Sequence, residues 1–267
     1  MRNSRSIVNK RREKILHILN EKGFIKVSSL AGELNASPLT IRRDFDILEE
    51  AGKIYRFHGG ASLPKQIAED NIFSSSLTTH KQAIAKKAAA FVEDGDTIFI
   101  NTSSTALAML SYIKAKHVTV ITNNVKAISC DKPADMILVL TGGELRVPKE
   151  AMVGDFALNN LNKVTASKCF LGCNGITVEE GVTTAVLQEA TINGSMLSRA
   201  VGARYILADK TKIGRRLNFI YGTLNDINCL ITDTEASQAE VDKIRKAISV
   251  VQVKPLGKPE QNSLAGD

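Results

Sequence analysis

Two adjacent arginines near the start of a predicted helix are the first side chains that could recognise another molecule. Arg42 and Arg43 follow Pro38 in the stretch SPLTIRRD. Ser37 is a good N-cap and proline suits the first helical position, so both arginines lie within the first turn and a half of the helix. A guanidinium group donates paired hydrogen bonds to guanine O6 and N7 or to a phosphate. The spacing therefore predicts a helix that contacts DNA.

The elements around these arginines complete a winged helix-turn-helix. Apolar residues with helical spacing predict a first helix over 7–19 and a short second helix capped by Ser28 or Ser29. The third helix is predicted to bury four apolar residues, Leu39, Ile41, Phe45 and Leu48. A strand-like stretch at 54–58 and two following glycines form the wing. In the alternative, the arginines belong to a solvated face and pair with neighbouring acidic residues. The N-cap, the apolar stripe and the wing follow one another at the spacing of a winged helix-turn-helix, which favours DNA contact.

Composition and charge fit a two-domain protein with a polyanionic partner. The chain has 267 residues, 43% of them hydrophobic, and a net charge of +7. Residues 1–63 hold 12 Lys/Arg and 7 Asp/Glu, a net +5, whereas the other residues hold 23 and 21, a net +2. No apolar run is long enough for a membrane span and no signal peptide is seen, so we expect a cytoplasmic protein without a membrane partner. The cysteines match neither a disulfide framework nor a zinc site, and we expect no metal and no cofactor.

Beyond the first domain, helices and short apolar strands alternate as far as residue 253, which predicts a mostly parallel sheet. The fold class is therefore α/β overall, with an N-terminal winged helix-turn-helix and a larger C-terminal α/β domain. The predicted divisions are 1–62 for the DNA-binding domain, with its helix-turn-helix at about 25–44, then 63–79 for a linker, 80–254 for the effector-sensing domain and 255–267 for a flexible tail.

Polar residues follow several predicted strands, and in a parallel sheet these strand ends share the edge where ligands bind. The stretch NTSST at 101–105 stands between a strand and a helix, where hydroxyls and free N–H groups suit an anion. Other polar strand ends contain Asn123, Gly142, Gly143, Asn174 and Lys210. Each alone is more often only a helix cap. Together, with Lys210 as a cation, they predict a small anionic ligand that carries hydroxyl groups.

Residues 10–61 resemble the DeoR-type DNA-binding domain of bacterial transcriptional regulators. The resemblance is carried by R-x-x-I-L at 12–16, S-x-x-T-I-R-R-D at 37–44, L-E-x-x-G at 48–52 and H-G-G-A at 58–61. It implies that four residues of the helix start, Ser37, Thr40, Arg42 and Arg43, lie on or near DNA. It also implies that Arg56 and His58 lie on the wing.

The chain beyond the first domain, as far as about residue 235, resembles the effector-sensing domain of the same family. The motifs include D-G-D-T-I-F at 94–99, V-I-T-N at 120–123, T-G-G-x-L-R at 141–146, G-V-T-T at 181–184 and L-A-D-x-T-K-x-G at 207–214. The resemblance implies a fold like ribose-5-phosphate isomerase and a phosphorylated sugar or a related effector. By position, Ser103, Ser104 and Thr105 would hold the phosphate, and Asn123, Gly142, Gly143, Asn174 and Lys210 would line the sugar end.

Three positions depart from the family pattern. The family usually has Asp and Gly where this chain has Asn101 and Ser103, and Asp where it has Asn174. Fewer carboxylates mean fewer acceptors for sugar hydroxyls, and serine in place of glycine changes how closely a phosphate approaches the backbone. We therefore expect Asn101 to belong to the effector site and the choice of ligand to be altered.

These observations predict a DNA-binding transcriptional regulator, a repressor of a sugar or carbohydrate operon, with an operator DNA and a phosphorylated effector as partners. A homodimer or homotetramer is expected, because one winged helix gives little specific contact area. Two alternatives stay open. The altered loops could respond to a protein partner instead of a small molecule. The chain could also be a sugar-phosphate isomerase-like enzyme with a basic appendage. Asn174 cannot be the base of such an enzyme, but Glu179, Glu180 and Glu189 are available. We expect no catalytic residues.

Overall fold

The computed structural model of the protein describes residues 8, 11–19, 24–50, 53–57, 60–62, 75–147 and 149–256. The chain divides into two compact units between Ser75 and Ser76. Each unit buries its own apolar core. Within the described ranges, no helix is long and apolar enough to cross a membrane.

The described part of the first unit combines three helices with a small antiparallel sheet. The helices are α1 over 11–19, α2 at Val27–Glu33 and α3 at Pro38–Glu50, and the strands are β1 at Phe24–Lys26, β2 at Tyr55–Phe57 and β3 at Gly60–Ser62. β3 lies between β1 and β2 and pairs antiparallel with both. The predicted winged helix-turn-helix is confirmed, since β2 and β3 form its wing.

Two details of this unit correct the sequence prediction. α2 begins at Val27, so Ser28 and Ser29 lie inside the helix, and its N-cap is Lys26, which makes no side-chain cap bond. β1 was not predicted, because three residues are too few to show an alternating pattern. Its pairing with β3, far along the chain, is what stabilises it as a strand.

The apolar stripe of α3 is confirmed except at Leu39. Ile41 and Phe45 are fully buried and Leu48 nearly so, within the core of the first unit. Leu39 is 58% exposed. It stands two residues before Ile41, about 200° around the helix axis. It therefore shares the solvent-facing side with Arg43, four residues on.

The second unit is built on a seven-stranded parallel sheet with helices on both faces. Its strands are β4 at Thr97–Ile100, β5 at Thr119–Thr122, β6 at Ile137–Leu140, β9 at Lys168–Gly172, β12 at Arg204–Leu207, β14 at Cys229–Asp233 and β15 at Ser249–Val253. The helices are α4 at Ser75–Ala89, α5 at Ser104–Ala108, α6 at Gly154–Leu161, α7 at Leu187–Arg199 and α8 at Gln238–Arg245. Short 3-10 helices follow α5 at Met109–Tyr112 and β5 at Val125–Ser129, and a third lies at Leu224–Asp226.

Two smaller antiparallel elements were not predicted. One is the hairpin of β7 at Glu144–Arg146 and β8 at Ala151–Val153. The other is a three-stranded sheet of β10 at Gly175–Thr177, β11 at Gly181–Thr184 and β13 at Phe219–Gly222. Three or four residues are too few to establish an alternation of apolar and polar residues, and only the pairing of these strands in the fold identifies them.

The order of strands in the large sheet is β15-β14-β12-β9-β4-β5-β6. The chain starts at β4 in the middle, adds β5 and β6 on one side, and then places β9 on the other side of β4. The direction of winding therefore reverses between β4 and β9. In parallel sheets of this kind, ligands bind at such a reversal, outside the carboxyl ends of the strands.

The predicted division of the chain needs one correction. Five residues assigned to the linker, 75–79, are helical, since α4 begins at Ser75. Their serines and threonines gave no apolar periodicity from which a helix could be predicted. The rest of the linker, 63–74, and residues 257–267 of the predicted tail lie outside the described residues.

Candidate nucleic-acid interface and effector crevice

The start of α3 has the cap that its sequence predicts. The hydroxyl of Ser37 accepts a hydrogen bond from the backbone N–H of Thr40 at 3.1 Å and bonds the Thr40 hydroxyl at 2.8 Å. Arg42 and Arg43 follow within the next turn and are both exposed. The cap thus fixes where the helix begins, and the start of the helix in turn sets which side of it carries the two guanidinium groups.

Asp44 does not neutralise these arginines. It is 2% exposed, and its carboxylate forms ion pairs with the guanidinium groups of Arg11 and Arg12 in α1, the latter at 3.0 Å. Arg42 and Arg43 form no hydrogen bond or ion pair with the part of the chain that the structure describes. Asp44 therefore does not pair with Arg42 or Arg43, as it would if these arginines were only a solvated face paired with it. The two arginines are positioned to bind an external acceptor.

The wing residues are only partly placed. Arg56 stands in β2, where its backbone is opposite Ala61 of β3. His58 lies outside the described residues. The DNA-binding roles of both stay predictions.

At the reversal between β4 and β9, Asn101 joins the two strand ends. Its Nδ2 donates to the carbonyl of Gly172 at 2.9 Å and to Oδ1 of Asn193 at 3.2 Å. Its Oδ1 accepts from the backbone N–H of Gly172 at 3.0 Å and of Ser103 at 3.2 Å. Asn101 is 2% exposed, and both of its donors and both of its acceptor positions are used inside the protein. An aspartate could not make the two donated bonds.

The loop after Asn101 is a capped helix start pressed against β9. Ser103 Oγ accepts from the backbone N–H groups of Thr105 at 3.2 Å and Ala106 at 3.4 Å. Ser104 is exposed and Thr105 is buried. A Cβ atom placed on Gly172 would come within 2.0 Å of Ser103 Oγ. The Ser103 side chain thus occupies the space directly over Gly172.

Asn174 and Asn123 lie at two further strand ends and are both held by hydrogen bonds. The side-chain amide of Asn174 hydrogen-bonds the Thr184 hydroxyl at 2.8 Å. Asn123 is 1% exposed, and its Nδ2 donates to the carbonyl of Met152 at 3.1 Å while its Oδ1 has no partner among the described residues. Among the described residues, Asn123 therefore keeps one buried acceptor atom without a partner, whereas Asn101 does not.

Gly142 and Gly143 have φ angles of 69° and 108°, a conformation that favours glycine. At Gly143 an added Cβ would also lie 2.5 Å from the carbonyl oxygen of Val153. The two glycines lead directly into the β7–β8 hairpin. Their role is explained by backbone geometry, and a contact with the effector stays a prediction.

Lys210 is engaged away from the strand ends that Asn101 joins. Its ammonium pairs with the carboxylate of Glu235, and its backbone N–H donates to Asp233 at 2.7 Å. The hydrogen bond to Glu235 raises the pKa of Lys210 above its ordinary value. Lys210 would have to break this pair to bind an anion, so its effector role stays a prediction.

Lys212 is a cation that the sequence analysis did not assign to the effector site. Its ammonium forms no hydrogen bond or ion pair within the described ranges. Its backbone carbonyl accepts from the N–H of Ile176 at 3.0 Å, which places residue 212 beside β10, just after Asn174. Burial raises the pKa of the nearby Cys173 thiol to about 12, and the charge of Lys212 acts in the opposite direction. The motif L-A-D-x-T-K contained Lys212, but a sequence does not show which of two neighbouring lysines is already paired. The protonated Cys173 thiol is unsuited to bind a metal, and the described residues contain no cluster of metal-ligating side chains.

Glu189 and Asn193 on α7 were also not assigned to the site. Both are 4% exposed and stand one helical turn apart. Asn193 bonds Asn101, and Glu189 Oε2 accepts from the Thr184 hydroxyl at 3.1 Å. α7 therefore flanks the β4–β9 reversal, and we use the name effector crevice for this place, where a parallel sheet of this kind is expected to bind a ligand.

Comparison with known proteins agrees with both units. Residues 11–67 match the family described as the DeoR-like helix-turn-helix domain, and residues 76–234 match the DeoR C terminal sensor domain. An uncharacterized HTH-type transcriptional regulator of Bacillus subtilis (strain 168), YulB, is 32% identical over 256 residues, which cover 94% of this chain and 99% of that protein. A lactose phosphotransferase system repressor of Staphylococcus aureus (strain NCTC 8325 / PS 47) is 32% identical over 250 residues, covering 91% and 98%.

Among solved structures, ribose 5-phosphate isomerase A of Methanocaldococcus jannaschii aligns with 49% of this chain and 52% of its own, at 18% identity and a TM-score of 0.36. This likeness is too weak to support a shared activity. The two relatives, which match along nearly their full length, are named a transcriptional regulator and a repressor. The prediction that this chain is a regulator and not an enzyme is therefore confirmed. The family domains cover both units, and the chain belongs to the DeoR family of DNA-binding transcriptional regulators.

Proposed function

We propose that the protein is a repressor of a sugar or carbohydrate operon, acting in the cytoplasm, whose DNA binding is controlled by a phosphorylated sugar or a related anionic effector. The observation that carries the effector assignment is the β4–β9 reversal, where Asn101 joins two polar strand ends and the backbone of Lys212 bonds Ile176, two residues after Asn174. The lactose phosphotransferase system repressor supports the choice of operon.

The DNA-reading surface is the exposed side of α3. Arg42 and Arg43 supply the cations, because Asp44 is already neutralised by α1. Leu39, 58% exposed beside them, has the apolar character that fits a thymine methyl group. Ser37 and Thr40 are close enough to the helix start to bond phosphates through their hydroxyls. An arginine pair with an adjacent leucine would favour sites that combine guanine and thymine.

The effector would bind with its phosphate near Ser103–Thr105 and Lys212. Ser104 is exposed at the start of α5, and Lys212 brings the positive charge that Lys210 cannot bring while paired with Glu235. The sugar end would extend toward Asn123, whose buried Oδ1 has no partner among the described residues and would accept a sugar hydroxyl once the loop opens. Asn101 would shape the crevice without touching the ligand.

Control of DNA binding requires that the effector bind one state of the protein more tightly than the other. A homodimer or homotetramer would make this possible, since two recognition helices must reach two half-sites of an operator at once. An effector that changes the distance between them would change operator affinity without touching α3.

The DNA assignment is tested with operator fragments selected from a random pool, with binding followed by fluorescence anisotropy at fixed salt. Arg42→Ala and Arg43→Ala should each weaken specific binding by about 5- to 150-fold, which is about 1–3 kcal/mol. Arg245→Ala, which removes an arginine from α8 of the second unit, is the matched control and should change affinity less than about twofold. If both α3 variants behave like the control, the assignment to α3 is wrong.

The effector assignment is tested by a thermal-shift screen of the full chain with aldose, ketose and polyol phosphates. A ligand that binds only the folded protein must raise its melting temperature. A compound that does so should also change operator affinity. If no phosphate in the panel shifts the melting temperature, the effector assignment fails, and regulation by a protein partner becomes the better explanation.

A further inference from the structure

Two basic side chains of the β7–β8 hairpin meet a buried carboxylate on the wall of the effector crevice. Lys149 Nζ lies 3.0 Å from Glu189 Oε1, and an Arg146 guanidinium nitrogen lies 3.7 Å from the same oxygen. Glu189 is 4% exposed, whereas the side chains of Arg146 and Lys149 are 39% and 46% exposed. The cluster of three carries a net charge of +1. It is therefore a buried anion covered by an excess of accessible cations.

Glu189 faces the crevice and not the outer surface of α7. It precedes Asn193 by four residues, so the two side chains lie on the same side of the helix, about 5–6 Å apart at Cβ. Asn193 bonds Asn101 at the end of β4. Thr184, which bonds Glu189, also bonds Asn174 at the end of β9. The carboxylate is thus linked through Thr184 to the end of β9, and its helix is linked through Asn193 to the end of β4.

The shared hydroxyl of Thr184 explains why an amide suits position 174. A hydroxyl has one proton, so Thr184 can donate to Glu189 only if Asn174 donates to Thr184 through its amide nitrogen. The two amide positions of Asn174 are interchangeable by a flip, and the flipped form satisfies all three groups. An aspartate at 174 would compete with Glu189 for the single proton. The asparagine therefore leaves one carboxylate at this place instead of two.

The hairpin that supplies the cations is fixed through its backbone. The N–H of Met152 donates to the carbonyl of Asn123 at 2.8 Å, and the N–H of Val125 donates to the carbonyl of Glu150 at 3.0 Å. The hairpin is therefore anchored on the loop after β5, beside the crevice. The long side chains of Arg146 and Lys149 can change partners by rotation while the backbone remains in place.

We propose that Arg146 and Lys149 are a second anion-binding pair of the effector crevice, held ready by Glu189 and shared with the anionic group of the effector when it binds. This deepens the proposed function and rests on it. Glu189 neutralises only one of the two cations, so a positive charge remains for a ligand. A phosphate offers several charged oxygens and can form the short charge-assisted bonds that the 3.7 Å contact of Arg146 does not.

The proposal predicts opposite effects for the two sides of the cluster. Glu189 competes with the ligand for the cations, so Glu189→Gln should tighten the binding of an anion by about threefold or more. Arg146→Gln and Lys149→Gln should each weaken it by about 5- to 30-fold, as expected for the loss of a partly exposed charge-assisted bond. If Glu189 instead bound sugar hydroxyls, Glu189→Gln would weaken binding.

The test is titration calorimetry of the full chain with inorganic phosphate, at ionic strength balanced with chloride, and with any phosphate compound found in the thermal-shift screen. Glu180→Gln is the matched control, because Glu180 forms an ion pair with Arg216 at 3.1 Å on a neighbouring loop. It should leave phosphate affinity within about twofold. Lys149→Arg should retain binding, and the ligand-free melting temperatures show that each variant is folded.

A double-variant cycle separates exchange of partners from a general change of charge. In the Arg146→Gln/Lys149→Gln background, Glu189→Gln should no longer tighten binding, because no cation is left to release. The same gain with and without the two cations would overturn the proposal. So would tight phosphate binding that Arg146→Gln and Lys149→Gln leave unchanged, or no phosphate binding by any variant. The proposed function fails separately, only if the screen finds no phosphate compound for the wild-type chain.

Discussion

The contact between Ser103 and Gly172 permits a sharp test of how the crevice is packed. In Gly172→Ala, the new Cβ would lie 2.0 Å from Ser103 Oγ and 2.2 Å from Ser103 Cβ. Ser103 can rotate its hydroxyl away, but its Cβ is fixed to the backbone. The backbone must therefore shift, and the cap of α5 shifts with it.

The size of the effect follows from two costs. Overpacking a close contact costs about 1–3 kcal/mol, and loss of a serine cap costs about 0.5–2 kcal/mol. We expect Gly172→Ala to lower the free energy of unfolding by about 2–4 kcal/mol. Ser103→Gly alone should cost only a few tenths, about what serine-to-glycine changes cost at N-caps.

The two changes together should nearly cancel. With Ser103→Gly present, the nearest remaining atom to the new Cβ is the carbonyl oxygen of Leu207 at 3.6 Å, an ordinary contact. The double variant should therefore be within about 1 kcal/mol of wild type, which gives a coupling free energy of about 2–3 kcal/mol. Additive effects of the two substitutions would show that Ser103 does not fill this space.

Urea unfolding of the full chain, followed by circular dichroism, measures these values. Gly32→Ala is the matched control, because a Cβ at Gly32, inside α2, meets no atom within 4 Å. Alanine is the better helix former there, so this variant should be as stable as wild type or up to about 1 kcal/mol more stable.

Three further predictions concern single side chains. Asn101→Asp should lower the free energy of unfolding at pH 7 by about 2–4 kcal/mol, since a buried carboxylate would face the carbonyl of Gly172 in place of a donor. Asn159→Asp, at an exposed position, is the control. Equal urea midpoints of the two variants would contradict the role assigned to Asn101. Burial opposes ionisation of Asp96, but hydrogen bonds from Lys168, Glu93 and Ser167 outweigh it and lower its pKa, so the stability that Asp96 adds is present above the unfolded pKa of about 3.9 and is lost as the pH falls through the folded value. Asp96→Asn should accordingly lower the free energy of unfolding by about 1–3 kcal/mol at pH 7. The difference in stability between the variant and wild type should shrink below about pH 4, and a difference that does not depend on pH would refute this role of Asp96. Asp44→Asn should lower the stability of the first unit by about 1–3 kcal/mol, because Arg11 and Arg12 lose their carboxylate, whereas Asp46→Asn on the exposed side of α3 should cost less in the same thermal unfolding assay.

Much of the fold could be predicted because it depends on local patterns. The cap at Ser37 and the proline after it fixed the start of α3, and the apolar runs fixed the strands of the large sheet. The prediction missed β1, the β7–β8 hairpin and the small sheet of β10, β11 and β13. These strands are only three or four residues long, and they exist because they pair with partners elsewhere in the chain.

The sequence predicted where the candidate site lies but not the role of each of its residues. The strand ends named in the sequence do meet at one edge of the sheet, as a parallel sheet requires. Whether a polar group there is free or already used depends on the neighbours that the fold supplies. Asn101 is fully used, Lys210 is paired, and Asn123 and Lys212 keep a group available.

The sequence by itself determined that a capped helix presents two arginines, that a parallel α/β unit follows, and that polar residues end its strands. These features come from capping, periodicity and side-chain chemistry within short windows. The tertiary structure decided which side chains share a hydrogen bond or a charge. Asn101 meets Asn193 across 92 residues, and Lys149 meets Glu189 across 40. Such pairs arise only when the sheet brings distant strand ends together, because their free energy depends on distance and burial and not on separation along the chain.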